Sequence, residues 1–140
     1  MLSKKTRYAL LALTKLAREY GKGTILIKEI AKSENIPQRF LEAILLDLKN
    51  IGILGSKLGK SGGYYLRKPP IEINMAEIVR HFDGAIALVP CASEKYYEAC
   101  EHCKDENNCN LRDVFRDIRE LTYSKLSKTT LAHLIGEGNL

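Results

Sequence analysis

Four cysteines, Cys91, Cys100, Cys103 and Cys109, are confined to one stretch of a chain that has no other cysteine. They are spaced C-x8-C-x2-C-x5-C, with His102 inside the run. Thiolates and imidazoles are the soft donors that zinc and iron–sulfur clusters take. A closed zinc site usually shows two C-x2-C pairs or a Cys/His equivalent, and only Cys100 and Cys103 form such a pair. Iron–sulfur clusters also draw thiolates from irregular loops, so this spacing admits either. Three readings stay open on spacing alone: a bound metal or cluster, reactive thiols, or cysteines without a special role.

A second group of residues suits a polyanion. Residues 1–70 carry 14 Lys and Arg against 5 Asp and Glu, a net +9, whereas residues 71–140 carry 8 against 12, a net −4. Arg39 and Glu42 lie one helical turn apart, where Arg can pair with a guanine edge and Glu can accept from cytosine. Read as an isolated helix they would form only a solvated ion pair, and the basic surroundings favour base reading instead. Lys57, Lys60, Arg67 and Lys68 add charge without sequence information, which suits phosphates. Gly59-Lys60-Ser61 is not a nucleotide-binding loop. Only Ser56, Lys57 and Leu58 separate Gly55 from Gly59 where four residues are needed, and a strand rather than a helix follows.

The elements that must position these groups follow from periodicity. Ala9, Leu13, Leu16 and Tyr20 predict a first helix over Thr6–Tyr20, ended by Gly21 and Gly23 and apolar on nearly all sides. A short helix over Lys28–Ser33, the turn Glu34-Asn35-Ile36, and a longer helix opened by Pro37 follow. That third helix places Phe40, Leu41, Ile44, Leu45, Leu48 and Ile51 inward, leaves Gln38, Arg39, Glu42, Ala43 and Asp47 outward, and stops at Gly52. Two helices joined by so short a turn match a helix-turn-helix. Ile53-Leu54 and Tyr64-Tyr65-Leu66 read as strands around the loop from Gly55 to Gly63, which makes a wing. Beyond Pro69-Pro70, Asn74 caps a helix over Met75–Phe82, and Pro90–Asn110 reads as a polar loop with at most a short helical turn. A last helix starts near Leu111 and runs towards Leu134, with Leu111, Val114, Phe115, Ile118 and Leu121 as an apolar stripe suited to a second copy of the chain.

At 140 residues and 15.8 kDa the chain is too short for two enzyme domains. With 45% hydrophobic and 28% charged residues it has enough apolar content for one core. No stretch approaches the roughly 20 apolar residues that span a bilayer, and Ala9–Leu13 is too short for a signal-peptide core. A cytoplasmic, reducing location is expected, where clustered cysteines indicate a metal site or redox switch rather than a disulfide framework. His81 and His133 have no nucleophile beside them in sequence, and no catalytic constellation supports an enzyme.

Leu2-Ser3-Lys4 with Arg7-Tyr8-Ala9, the stretch Ile36–Leu48 containing Phe40-Leu41-Glu42, the Gly62-Gly63-Tyr64 wing and the late cysteine loop together resemble the Rrf-type winged-helix regulators, over nearly the whole chain. The resemblance implies a dimeric transcription factor and, in the cysteine-bearing branches, a 2Fe-2S cluster whose state changes DNA affinity. Matched by position, it implies Cys91, Cys103 and Cys109 as cluster ligands and Pro37, Arg39 and Glu42 as DNA-reading positions. Where one branch has a histidine ligand three residues after its last cysteine, this chain has Arg112. Where another offers an aspartate from the first helix of the partner, it has Arg7. Leu58 stands where the wing often has a basic residue.

The expectation is therefore a mainly α, winged helix-turn-helix protein with a two-stranded wing and a long C-terminal dimerisation helix. Residues 1–70 form the DNA-binding region, and 71–140 hold the cysteine loop and dimer helix within one compact unit. Candidate DNA contacts are Pro37, Gln38, Arg39, Glu42, Lys57, Lys60 and Tyr64. Candidate ligands are Cys91, Cys100, Cys103 and Cys109, with Cys100 as fourth donor ahead of His102, for a 2Fe-2S cluster or alternatively zinc. The expected partners are duplex DNA at a near-palindromic operator and a second copy of the chain, with no membrane. The rival reading is a small zinc or iron–sulfur protein working through a protein partner.

Overall fold

The computed structural model describes residues 1–137. Ser3 opens the first helix, α1 (Lys4–Arg18), because its hydroxyl accepts the Thr6 N–H at 3.1 Å. The helix starts and ends earlier than its apolar spacing suggests, and Tyr20 lies beyond it, exposed. Thr6, Ala9, Ala12, Leu13, Leu16 and Ala17 are its buried face. Next come α2 (Ile27–Glu34) and α3 (Gln38–Asn50). Asn35 joins them in the left-handed region at φ 53°, a conformation that Asn tolerates better than most side chains. Pro37 caps α3 from outside rather than opening its first turn, its carbonyl accepting the Leu41 N–H at 3.1 Å.

On α3, Leu41, Ile44, Leu45 and Leu48 are buried as the period requires. Phe40 and Ile51, assigned inward from sequence, are instead 60% and 40% exposed, because they fall at the edges of that stripe. The Phe40 ring rests 6.4 Å from that of Tyr8 on α1.

The wing is an antiparallel pair, β1 (Leu54–Lys57) and β2 (Gly63–Leu66), in the register Leu54↔Leu66, Gly55↔Tyr65, Ser56↔Tyr64 and Lys57↔Gly63. Lys57 is thus a strand residue and not part of the wing loop, which shortens to residues 58–62. Tyr64 also exchanges both backbone hydrogen bonds with Ile25, each at 2.9 Å, which ties the wing to the entry of α2. Gly63 is required at this junction. Its φ is 132°, and a Cβ there would stand 2.2 Å from the Ile25 carbonyl oxygen.

Asn74 caps α4 (Met75–Asp83), accepting the Glu77 N–H at 3.0 Å. Two 3₁₀ turns, Pro90–Ala92 and Glu106–Asn108, punctuate the cysteine arm before α5 (Asn110–Lys128). The last helix does not run on to Leu134. It stops at Lys128, and a separate turn of helix, α6 (Leu131–Leu134), starts under a capping box in which the Thr130 hydroxyl and the His133 ring each accept the other residue's N–H. The break is tertiary in origin. The Thr129 carbonyl accepts the Met75 N–H and Leu131 donates to Ile73, both at 2.9 Å, which turns the chain back into the body of the protein. Leu131, Ile73 and Ile78 share one core with the buried faces of α1, α2 and α3.

Candidate DNA-reading helix and thiol site

The second helix of the helix-turn-helix is α3, and Gln38, Arg39, Glu42 and Ala43 are exposed in its N-terminal part. The Gln38 amide donates to the Glu42 carboxylate at 3.4 Å. Among the described residues Arg39 makes no ion pair, with Glu42 or any other acid, so its guanidinium fork is available for a base edge. In the wing, Lys57 lies 5.9 Å over the Tyr65 ring, Lys60 is exposed, and Leu58 at the turn is fully exposed. Tyr64 packs partly buried against the core, so of the candidate contacts it is the one fixed from within.

Behind α3, Asp47 faces α1 and α4. Its carboxylate meets Lys5 at 3.7 Å and His81 at 3.3 Å. Asp83, where α4 ends, accepts the Ser3 N–H at 3.0 Å. Burial alone would raise that carboxyl. The hydrogen bonds from Ser3 and Thr6 outweigh it and hold Asp83 below the ordinary value of 3.8.

The cysteine arm folds against the start of α5, and all four thiols, unbridged, line one open cleft of about 770 Å³ together with His102, Glu106 and Arg112. Cys91 lies in the first 3₁₀ turn. Cys109 is the N-cap of α5, its Sγ accepting the Arg112 N–H at 3.4 Å. Cys100 and Cys103 share a tight turn closed by the Cys103 N–H on the Cys100 carbonyl at 3.1 Å. Burial raises the Cys103 thiol, and Glu106 and the neighbouring thiols add to it. The Tyr97 hydroxyl is raised as well, because it donates to the Glu106 carboxylate.

The donor set fits a thiolate-bound zinc ion or iron–sulfur cluster in chemistry. Among the described residues, however, no three His, Cys, Asp or Glu side chains are gathered closely enough to hold one ion. Binding such a group requires the cleft to close around it. From the sequence, Arg112 stands out only as a position where the resemblance expects a ligand and finds none. Its Nε–H in fact donates to the Cys91 carbonyl at 2.9 Å and its Nη1 to the Glu106 carbonyl at 3.3 Å. Such long-range arginine-to-carbonyl contacts leave no periodic signal in a sequence.

On α5 no residue is buried, and Leu111, Val114, Ile118 and Leu121 are exposed, Leu121 at 74%. No helix among the described residues is long and apolar enough to cross a membrane.

Comparison with known proteins agrees with this architecture. An HTH-type, rrf2-like transcriptional regulator of Rhodobacter capsulatus is 40% identical over 99% of this chain and 95% of its own length. The HTH-type transcriptional regulator CymR of Bacillus subtilis is 31% identical over 86% of this chain and 84% of its own. The solved structure of CymR, described as the global cysteine regulator of that organism, superposes with a TM-score of 0.81 at 29% identity, covering 99% of this chain and 98% of the other. These relatives are regulators of transcription rather than enzymes, and the shared fold is the winged helix. A family model described as "Iron-dependent Transcriptional regulator" matches residues 2–137, and with the helix-turn-helix, wing and cysteine arm in place the chain belongs to the Rrf2 family of DNA-binding transcriptional regulators.

Proposed function

We propose that the protein is a homodimeric regulator that binds a near-palindromic operator and senses iron–sulfur status, redox state or nitric oxide through a 2Fe-2S cluster on its cysteine arm, in the cytoplasm. The observation that carries this reading is the combination of an exposed Arg39, without an ion pair among the described residues, on a helix-turn-helix with four unbridged thiols on one cleft of the same small chain. Gln38, Arg39 and Glu42 read bases, Pro37 sets the entry of the reading helix, and Lys57, Lys60 and Tyr64 serve the wing's contact with the backbone. Cys91, Cys103 and Cys109 hold the cluster and Cys100 completes it.

Dimer geometry connects the two halves. A two-fold reader must place its recognition helices about 34 to 36 Å apart along the groove. The cysteine arm lies between α4 and the exposed α5, so ordering it around a cluster alters how α5 of one protomer meets its partner. A small rotation there moves both recognition helices out of register. An iron–sulfur protein that acted only through a protein partner would have no use for a net +9 on its helix-turn-helix half.

The test is anaerobic purification from iron-replete cells, with absorption spectrum and iron, sulfide and zinc analysis, followed by operator selection from a random duplex pool. The reading expects coloured protein with about two iron and two sulfide per subunit and enrichment of an inverted repeat. Stoichiometric zinc without sulfide would overturn the cluster, and enrichment of no sequence would overturn the operator.

A further inference from the structure

The four thiols are not held alike. Arg112 ties three points of the arm to α5: the Cys91 carbonyl at 2.9 Å, the Glu106 carbonyl at 3.3 Å, and Cys109, whose Sγ accepts its backbone N–H at 3.4 Å. Its guanidinium also lies 5.8 Å from the Tyr97 ring centroid. Two helical turns later, on the same side of α5, Arg119 Nη1 donates to the Ala92 carbonyl at 2.6 Å, while Glu94 and Glu120 pair with its other terminal nitrogen. Two arginines therefore grip adjacent carbonyls, those of Cys91 and Ala92. The turn they grip is closed by its own hydrogen bonds, Ala92 to Val89 and Ser93 to Pro90, both at 3.1 Å, and Ala92 and Ser93 are buried.

Cys100 and Cys103 differ. Cys100 is exposed, and among the described residues no hydrogen bond ties residues 99–104 to α5. Arg112 also makes no ion pair among the described residues, so its positive charge faces the thiol cleft without a carboxylate partner.

We infer that Arg112 and Arg119 form a clasp that fixes Cys91 beside Cys109 on α5, so that one half of the thiol site is built in advance and the Cys100–Cys103 arm closes onto it. The inference rests on the thiol site of the proposed function and deepens it. Arg112 is a positioning residue, since a guanidinium has no lone pair to offer a metal. Its planar fork can span two carbonyls at once, which a lysine ammonium does not reproduce. A site whose ligands are held by such outer contacts loses less freedom on binding, and removing such a contact typically lowers metal affinity about 10- to 100-fold.

The experiment uses reduced, metal-free, full-length protein titrated anaerobically with Co²⁺, followed by thiolate-to-cobalt absorption, alongside hydrogen exchange at the Ala92 and Ser93 amides. Arg112→Gln should weaken cobalt binding about 10- to 100-fold and speed exchange at both amides, while its spectrum at saturation stays that of the wild type. Cys91→Ala, which removes a ligand, should change the saturated spectrum. Arg112→Lys should not restore affinity, and Arg119→Gln should act in the same direction as Arg112→Gln without touching Cys109. Wild-type affinity and exchange in Arg112→Gln and Arg119→Gln, or full rescue by Arg112→Lys, overturns the clasp while leaving the thiol site standing. Wild-type protein that takes up no cobalt through thiolates overturns the thiol site and the clasp with it.

Discussion

His81 on α4 reaches Asp47 on α3, Nε2 to Oδ1 at 3.3 Å, and so joins the helix that leads to the cysteine arm to the second helix of the helix-turn-helix. Both side chains are partly exposed, so the contact adds less than about 1 kcal/mol to stability. Its value is orientation. His81→Ala and Asp47→Ala should each leave thermal unfolding nearly unchanged and shrink the ratio of operator affinities between cluster-loaded and cluster-free protein. Because Asp47 also pairs with Lys5, the double variant should do no more than Asp47→Ala alone, which already removes the link to His81. Additive losses in fluorescence-anisotropy titrations would show that the two residues act separately.

Arg39 and the wing lysines should fail differently. Arg39→Ala should cost about 1 to 3 kcal/mol on the selected operator and relax its sequence preference, since a bidentate base contact is lost. Lys57→Ala with Lys60→Ala should weaken binding to all duplexes alike and lower the slope of log K against log salt by about one per lost phosphate contact. Titrations at several salt concentrations on operator and scrambled duplex separate the two.

The exposed stripe of α5 calls for a partner. Val114 and Leu121 are 54% and 74% exposed, so Val114→Asp with Leu121→Asp costs the single chain no core packing. Sedimentation should show a shift from dimer to monomer with far-ultraviolet circular dichroism retained. Operator affinity should fall with it, because one half-site replaces two.

Acid should loosen the junction between α1 and α4. The Asp83 carboxyl is held below 3.8 by its bonds from Ser3 and Thr6, so its stabilisation is complete above the unfolded value and is lost as pH falls through the folded one. Urea midpoints should therefore fall on acidification below about pH 4 more steeply for the wild type than for Asp83→Asn. Parallel curves would mean that the carboxylate carries no linkage.

The helix-turn-helix was legible because Leu41, Ile44, Leu45 and Leu48 keep the helical period and Asn35 suits a tight turn. The stripe's edges were not. Phe40 and Ile51 are apolar whichever way they face, and only the neighbouring elements decide that. Gly55, Ser56 and Lys57 have little strand preference of their own, and they pair because the backbones of Tyr65, Tyr64 and Gly63 lie opposite. The last helix is interrupted because the Thr129 carbonyl accepts from Met75 and Leu131 donates to Ile73, partners more than fifty residues away that periodicity cannot reveal. That the four thiols cluster could be read from their spacing, and they line one cleft. The clasp could not, since Arg112 and Arg119 act through backbone carbonyls 21 and 27 positions away.

The central claim is that the state of the cysteine arm governs DNA binding, and operator affinity of cluster-loaded and cluster-free protein in one buffer and salt, with dimerisation checked in each, tests it most directly. The account predicts affinities that differ by a factor of about 5 to 150, the usual range of coupling between two sites, with DNA altering cluster retention by the same factor in return. Equal affinities on the selected operator, from protein equally dimeric in both states, would contradict it.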